Sequence, residues 1–279
     1  MGRGDPLSPD DEAPPNSAGD ARVRGVDLDP GVPRVDRDPG RIATMFARIA
    51  PRYDLMNRLM TAGLDGRWRR LAAAQAVLAP GDRVLDVCCG TGDLSFALAD
   101  RWPGCNVTGL DFTEEMLVRA RQKAAARDGS GAGAGVRGGA GARQPRFVRG
   151  DVLALPFGDG EFAAVTVGWG VRNVPDLPQA LCEMARVTRP GGRVVCLDST
   201  RPPEGLGRRF HQVWFDRVVP ALGRVVAGEG SAYAYLPASV HDFPAAEGLG
   251  ALMARAGLVR VRYRRFGFGA VALHVAEAP

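Results

Sequence analysis

The stretch VLDVCCGTGDLSFALAD, residues 84–100, decides the fold of this chain. An apolar run ends in an acid and two cysteines, and a glycine–threonine–glycine turn then leads into an amphipathic segment. A strand, a glycine turn and a helix in this order are typical of open α/β sheets, which bind ligands beyond the carboxyl ends of their strands. We expect no metal site at Cys88 and Cys89, because adjacent strand residues point to opposite faces of a sheet.

From residue 82 onward, short apolar runs alternate with helical patterns, which predicts βαβ units and a mostly parallel sheet. The predicted strands are 83–88, 106–111, 146–151, 162–170 and 194–199, and the helices between them are 92–102, 113–126 and 176–188. The end of the chain differs. A helix at 243–257 precedes two apolar runs joined by a short glycine-containing link, which indicates an antiparallel hairpin. We therefore expect an α/β, Rossmann-like fold whose mostly parallel, seven-stranded sheet is closed by a C-terminal antiparallel hairpin.

Composition divides the chain into one domain with appended segments. Residues 1–40 carry nine acids and five arginines among many prolines and glycines, so we expect a disordered acidic tail. The predicted domain spans 41–279 and opens with helices at 41–78, placed as a lid over the ligand-binding edge. We expect residues 127–145 to form a flexible glycine-rich insert and 204–240, rich in aromatic side chains, to form a second helical region.

The overall composition excludes several classes of protein. No run approaches the ~20 apolar residues that span a bilayer, and the N-terminus lacks the pattern of a secretory signal. Five cysteines without a CxxC pattern indicate reduced thiols. We expect a cytoplasmic protein whose basic body can meet an anionic partner, and the arginine clusters at 66–70, 207–210 and 260–265 are the candidates.

Residues at the strand ends distinguish between two cofactors, a nicotinamide dinucleotide and S-adenosylmethionine. Gly90 and Gly92 let the backbone approach a ligand closely, and Asp111 ends the next strand, where an acid can accept hydrogen bonds from ribose hydroxyls. Ser95 replaces the third glycine of the dinucleotide fingerprint. Asp151 ends the third strand, where it can bind an adenine amino group. Together with the terminal hairpin, these features favour S-adenosylmethionine.

Longer motifs carry a resemblance to a known family. DVCCGTGDL, GLD, GDVLALPF and VTRPGGRVVCLD resemble class I S-adenosylmethionine-dependent methyltransferases. More narrowly, FARIAPRYDLMNRLMTAGLDGRWRR, GWGVRNVPD, YAYLPASVHDFP and GAVALH resemble the quinone C-methyltransferases of menaquinone and ubiquinone biosynthesis. The similarity extends over about residues 41–276 and leaves the acidic tail and the glycine-rich insert outside.

The resemblance implies a binding site for S-adenosylmethionine, the methyl donor, without a metal. It places Thr91 in the cofactor loop, Asp111 at the ribose, Asp151 with Val152 at the adenine, and Gly168 at the end of the fourth strand. Ubiquinone-pathway members often carry Ser at the position of Gly168. Trp169 stands where Phe or Tyr is usual, which leaves the shape of the quinone pocket open.

The resemblance also implies the reaction, methyl transfer to a ring carbon of a reduced polyprenyl quinol. It favours demethylmenaquinol as the acceptor, while 2-polyprenyl-6-methoxybenzoquinol and demethylphylloquinol stay open. A non-catalytic scaffold that binds S-adenosylmethionine is the alternative from a different class.

We expect no nucleic-acid partner, since the motifs of RNA methyltransferases are missing. Because the acceptor is lipid-soluble, we expect peripheral membrane contact, with 204–240 as a cap over the prenyl tail. The sequence leaves a homo-oligomer open.

The candidate catalytic residues lie at two places in the sequence. Arg172 and Asn173 follow the fourth strand, where Arg172 can stabilise a developing phenolate and Asn173 can orient the quinol oxygen. The competing interpretation is structural, with Arg172 paired to Asp176 and Asn173 capping a turn. Tyr53, with Asp54 beside it, lies on the predicted lid and is placed to contact the quinol ring.

Overall fold

The computed structural model describes residues 37–129, 144–202, 235 and 238–279. The predictions for residues 1–36 of the tail, 130–143 of the insert and most of the cap at 204–240 lie outside the described residues.

Three helices precede the sheet: α1 (Pro39–Ile49), α2 (Tyr53–Met60) and α3 (Asp65–Gln75), with a 3-10 turn between the first two. The Asp38 carboxylate accepts a hydrogen bond from the backbone N–H of Arg41 at 2.9 Å and caps α1, whose first residue is a proline. With this cap the first helix begins at Pro39, so residues 39 and 40 of the expected tail belong to α1.

The remaining elements alternate as the sequence predicts. They are β1 (Arg83–Val87), α4 (Asp93–Arg101), β2 (Asn106–Asp111), α5 (Glu114–Gly129), β3 (Arg146–Arg149), β4 (Phe162–Gly168), α6 (Leu177–Val187), β5 (Thr188–Ser199), α7 (Ala246–Arg255), β6 (Val259–Phe266) and β7 (Val271–Glu277). Helix α5 continues three residues into the predicted insert, to Gly129.

The seven strands form one sheet in the order β3-β2-β1-β4-β5-β7-β6. Strands β1 to β5 pair in parallel, whereas β7 lies antiparallel between β5 and β6. The prediction of a mostly parallel sheet closed by an antiparallel hairpin is confirmed. Strands β2 and β3 lie on one side of β1, and β4 and β5 lie on the other. The strand order therefore reverses between β1 and β4, and such sheets bind ligands at this switch point.

Both faces of the sheet are buried, which explains the continuous apolar runs of the central strands. Val84 packs with α3 and α4 on one face, while Leu85 and Val87 pack with α6 and α7 on the other. Ala72 and Ala73 of α3 are fully buried in the first of these layers. Helix α3 is thus part of the core. We use the name lid helices for the remaining two, α1 and α2.

One carboxylate interrupts the apolar layer under α4. Asp86 of β1 is fully buried and accepts hydrogen bonds from Ser95 Oγ at 2.6 Å and from Thr166 Oγ1 at 3.0 Å. Burial raises the pKa of Asp86 to about 7, and the two hydroxyl donors oppose that rise. The three side chains tie α4 to β1 and β4 directly beneath the glycine turn.

The substitution Gly170→Ala tests how tightly the two central strand ends pack. A Cβ at Gly170 would lie 2.3 Å from Cys88 Cβ, although the φ of −106° suits any residue. We expect Gly170→Ala to lower the free energy of unfolding by about 1–3 kcal/mol through overpacking, measured by urea denaturation.

Gly66→Ala is the matched control, because a Cβ at Gly66 meets only the far end of the Arg70 side chain, at 3.6 Å. That variant should be as stable as the wild type or slightly more so. Equal urea midpoints for Gly170→Ala and the wild type would contradict the close contact.

Candidate active site

A partly open cavity lies beyond the carboxyl ends of the central strands. Its walls come from the ends of β1, β2 and β4, from the loops after β3 and β4, and from the lid helices. The lining residues are Pro39, Ile42, Phe46, Tyr53, Cys88, Gly90, Leu110, Asp111, Phe112, Thr113, Met116, Gly150, Asp151, Val152, Leu153, Trp169, Gly170, Asn173, Val174 and Pro175. The cavity thus joins a sheet-edge wall carrying carboxylates to an apolar wall from α1.

The glycine turn forms the floor of the site through an unusual backbone path. Cys88, Gly90 and Gly92 have φ values of +51°, +54° and +85°, the left-handed region that favours glycine. A Cβ at Gly92 would lie 2.7 Å from the ring of Phe147, so this glycine is required for packing against β3. Gly90 faces the cavity, with Tyr53 as the nearest neighbour that a Cβ would meet, at 4.0 Å.

Asp111 fixes this turn to the end of β2. Its Oδ2 accepts the backbone N–H of Gly90 and its Oδ1 accepts that of Thr113, each at 2.8 Å. Burial raises the pKa of Asp111, and these backbone donors oppose the rise. Asp111 also lines the cavity, so its carboxylate faces a ligand that binds there.

Asp151 and Val152 line the cavity after β3, where the sequence places them. The Asp151 carboxylate is exposed and accepts the backbone N–H of Leu153 at 2.9 Å, whereas Val152 is buried. The turn therefore presents an acceptor and an apolar side chain together, an arrangement that suits the edge and the face of a purine base.

A smaller, narrow pocket adjoins the glycine turn and is lined largely by polar and charged groups. Arg69, Asp86 and Asp93 line it, together with Gly168 at the end of β4. Arg69 is buried, forms ion pairs with Asp65 and, at 3.4 Å, with Asp93, and lies over the Trp169 ring. Residue types of both charges make this pocket suitable for a zwitterionic ligand group.

The burial of Arg69 corrects the expectation for the arginine cluster at 66–70. The sequence offered that whole cluster as an anion-facing surface, but Arg69 points inward because Asp65 and Asp93 supply its countercharges. The spacing of Asp65 and Arg69, four residues apart on α3, was the available signal.

A four-residue cluster, which we call the latch, connects the lid to the glycine turn. The Thr91 hydroxyl donates to Asp54 at 2.6 Å, and Lys123 of α5 contacts Thr91, Asp54 and Asp93 at 2.9, 2.6 and 2.7 Å. Thr91 is buried in this cluster and lies beside the small pocket. Nothing in the sequence signalled Lys123, because a lysine on a helix is ordinarily solvated.

Tyr53 and Asn173 both line the cavity, Tyr53 from α2 and Asn173 from the loop after β4. Tyr53 begins α2, and its burial raises the pKa of its hydroxyl, a rise that the nearby positive charge of Arg172 opposes. Asn173 accepts a hydrogen bond from the Tyr235 hydroxyl at 3.2 Å and donates to the Trp169 carbonyl at 3.4 Å. These bonds fix the Asn173 amide at the rim of the site.

Arg172 stands behind this wall and is not among the residues that line the cavity. Its guanidinium bonds to Asp198 at 2.6 Å and to the Trp169 carbonyl at 2.9 Å. Burial acts to lower the pKa of Arg172, but Asp198, Tyr53 and Tyr235 together outweigh it and raise that pKa. The expected alternative partner, Asp176, is wrong: Asp176 caps α6 by accepting the Gln179 N–H at 3.0 Å.

The described residues contain neither a candidate metal site nor a candidate membrane span. Among them, no group of three or more His, Cys, Asp or Glu side chains is arranged to hold a metal ion. No helix in the described part of the chain is long and apolar enough to cross a membrane.

Solved structures share this fold at low sequence identity. An S-adenosylmethionine-dependent methyltransferase from Thermotoga maritima is 18% identical with a TM-score of 0.54, and the match covers 85% of this chain and all of the other. Phosphoethanolamine N-methyltransferase 2 of Haemonchus contortus, solved with S-adenosyl-L-methionine, is 13% identical with a TM-score of 0.55 over 85% of this chain and 57% of that one. These similarities establish the fold alone.

Sequence relatives are much closer. A demethylmenaquinone methyltransferase of Thermus thermophilus is 47% identical over 84% of this chain and 100% of its own length, and one of Deinococcus radiodurans is 43% identical over 86% and 94%. A C-methyltransferase of ubiquinone and menaquinone biosynthesis from Desulfotalea psychrophila is 40% identical over 86% and 91%. The model of the ubiE/COQ5 methyltransferase family matches residues 35–278. The chain therefore belongs to the ubiE/COQ5 methyltransferase family.

Proposed function

We propose that this chain transfers a methyl group from S-adenosylmethionine to a ring carbon of a reduced polyprenyl quinol, and that the quinol is demethylmenaquinol. The observation that carries the proposal is the two-sided cavity. One side carries the glycine turn and Asp111, and the other carries Ile42, Phe46 and Tyr53 of the lid. The relatives named as demethylmenaquinone methyltransferases support the choice of quinol.

The residues present fit S-adenosylmethionine. Gly90 leaves open the space that a Cβ would occupy in the cavity, and the Asp111 carboxylate beside it lines the cavity, where it suits ribose hydroxyls. Asp151 and Val152 suit the adenine, while Arg69 and the acids of the small pocket suit the carboxylate and ammonium of the methionine end. When bound, the cofactor supplies an electrophilic methyl group on a sulfonium.

The chain's own residues then align the quinol ring and hold its oxygen. The raised pKa of Tyr53 keeps its hydroxyl protonated at neutral pH, so it serves as a hydrogen-bond donor to the quinol oxygen. Asn173, held by Tyr235 and the Trp169 carbonyl, offers a second polar contact. Alignment of two reactants is worth up to about 7–11 kcal/mol of the barrier, and the apolar lid excludes water from the reacting atoms.

We assign Arg172 the role of a positioning residue. Its contacts with Asp198 and the Trp169 carbonyl hold the turn that presents Trp169 and Asn173 to the cavity. Its Nε is buried without a hydrogen-bond partner among the described residues. Its positive charge lies close enough to Tyr53 to oppose part of the rise that burial causes in the pKa of that hydroxyl.

The acceptor carries a polyprenyl chain and resides in a lipid phase. We therefore propose that the chain contacts the membrane peripherally when it takes up the quinol. The polar groups at the strand ends suit the quinol ring of such an acceptor, and the apolar side chains of the lid helices suit its prenyl tail.

The assay that tests the proposed function follows a labelled methyl group from S-adenosylmethionine into demethylmenaquinone, with and without dithionite. We expect labelled product only under reduction, because the ring carbon must be electron-rich to attack the sulfonium. A methoxybenzoquinol acceptor runs in parallel, and a preference for it would move the assignment to the ubiquinone pathway. Absence of product from both acceptors, despite cofactor binding, would contradict the proposal.

A pair of substitutions separates positioning by Arg172 from bulk stability. Arg172→Met alone leaves Asp198 as a buried, unpaired carboxylate and should cost about 3–5 kcal/mol of unfolding free energy. Adding Asp198→Asn removes the buried charge and should restore most of that stability. We expect the double variant to bind S-adenosylmethionine normally but to keep a kcat at least about tenfold below that of the wild type. Wild-type kcat in the stable double variant would show that the pair is structural only.

A further inference from the structure

Helix α2 has two different faces. Its inner face carries Met56, which is 1% exposed, and Tyr53, which lines the cavity. Its outer face carries Leu55 and Leu59, which are 52% and 37% exposed. Residues four apart lie on the same side of a helix, so these two leucines form one apolar stripe.

A third exposed leucine lies in the turn between α2 and α3. The backbone N–H of Gly63 bonds to the Arg58 carbonyl at 2.7 Å and closes this turn at the end of α2. Leu64 follows immediately and is 42% exposed. Three partly exposed leucines thus occur within ten residues, on one helix and the turn that ends it.

The charges around these leucines have one sign. Arg58 and Arg67 are exposed, and the segment from Leu55 to Leu64 contains no acid. The acids at either end are committed elsewhere, since Asp54 is paired with Lys123 and Asp65 is buried against Arg69. We call Leu55, Leu59 and Leu64 with Arg58 and Arg67 the α2 patch. Leucines next to arginines suit the interface of a bilayer that contains anionic lipids.

Leu55 and Leu59 of the α2 patch lie on the face of α2 away from Tyr53 and the active site. Asp54 and the latch hold the inner side of α2 to the glycine turn, at 2.6 Å from both Thr91 and Lys123. Helix α1, packed against α2, contributes Ile42 and Phe46 to the cavity wall. A membrane seated on the α2 patch would therefore meet the two helices that cover the acceptor side of the cavity.

We propose that the α2 patch is the surface by which this chain docks on an anionic phospholipid bilayer. The inference rests on the proposed function, because the lipid-soluble acceptor gives the docking its purpose. The leucines enter the boundary between head groups and acyl chains, while Arg58 and Arg67 contact the lipid phosphates.

Other exposed apolar side chains provide matched controls. Val118 of α5 and Val259 of β6 are 43% and 40% exposed. Their exposed fractions are similar to those of the leucines in the α2 patch, but they lie on other elements. Isolated apolar side chains of this kind are ordinary on protein surfaces.

The test is co-sedimentation of the full chain with vesicles of phosphatidylethanolamine and phosphatidylglycerol. We expect Leu55→Gln/Leu59→Gln/Leu64→Gln to weaken binding by at least about tenfold, since each leucine loses its apolar contact with the bilayer. Val118→Gln/Val259→Gln should bind as the wild type does. Circular dichroism and thermal unfolding check that each variant is folded.

The arginines are tested separately by charge. Arg58→Gln/Arg67→Gln should bind several-fold more weakly at low salt and should lose part of the salt dependence, because surface attraction is screened within a Debye length. Binding of the wild type to phosphatidylcholine vesicles should be weaker than to the anionic ones. Equal binding of wild type and leucine variant, or no binding of the wild type to anionic vesicles, would overturn the proposal.

Two further readouts keep this proposal distinct from the proposed function. With a short-chain demethylmenaquinol in solution, the leucine variant should turn over at the wild-type rate, whereas its rate with the long-chain quinol in vesicles should fall. If no quinol is methylated, vesicle binding still tests the α2 patch on its own. A wild type that is dimeric, with a monomeric leucine variant and no vesicle binding by either, would assign the patch to a second copy instead.

Discussion

The hydrogen bonds of the Asp111 carboxylate are the interaction on which the rest of the site depends. A glycine turn with three left-handed residues has no regular structure of its own, and Asp111 holds it by accepting the N–H groups of Gly90 and Thr113. The same carboxylate faces the cavity. Bonds to backbone N–H groups offset part of its burial cost, so one side chain both builds the floor of the site and remains available to a ligand.

The glycine turn in turn positions the lid. Thr91, between the two glycines, bonds to Asp54 of α2, and Lys123 adds ion pairs to Asp54 and Asp93. Because Tyr53 precedes Asp54, the donor side and the acceptor side of the cavity are fixed by one cluster. In the function proposed above, cofactor at the turn and quinol under the lid would therefore bind to one connected structure.

The sequence predicted those parts that depend on local pattern. Strand periodicity and turn chemistry located β1, Gly90, Asp111 and Asp151, and the hairpin after α7 followed from its glycine link. The contacts that depend on the tertiary arrangement could not be predicted from the sequence. The partner of Arg172 is Asp198, 26 residues away on β5, and the spacing suggested Asp176 instead. The burial of Arg69 and the role of Lys123 in the latch likewise arise only when separate helices meet the glycine turn. Proposals for individual catalytic residues remain predictions.

The most direct test of this account is the affinity for S-adenosylmethionine, measured by titration calorimetry for the wild type, Asp111→Asn and Asp159→Asn. In Asp111→Asn, the side-chain amide would turn a donor toward the N–H of Gly90 or Thr113, so the turn should lose its anchor. Asp159 serves as the control, because 82% of its side chain is accessible and it lines neither pocket of the site. The account predicts affinity at least about tenfold weaker for Asp111→Asn and unchanged for Asp159→Asn. Equal affinity for all three proteins would contradict it.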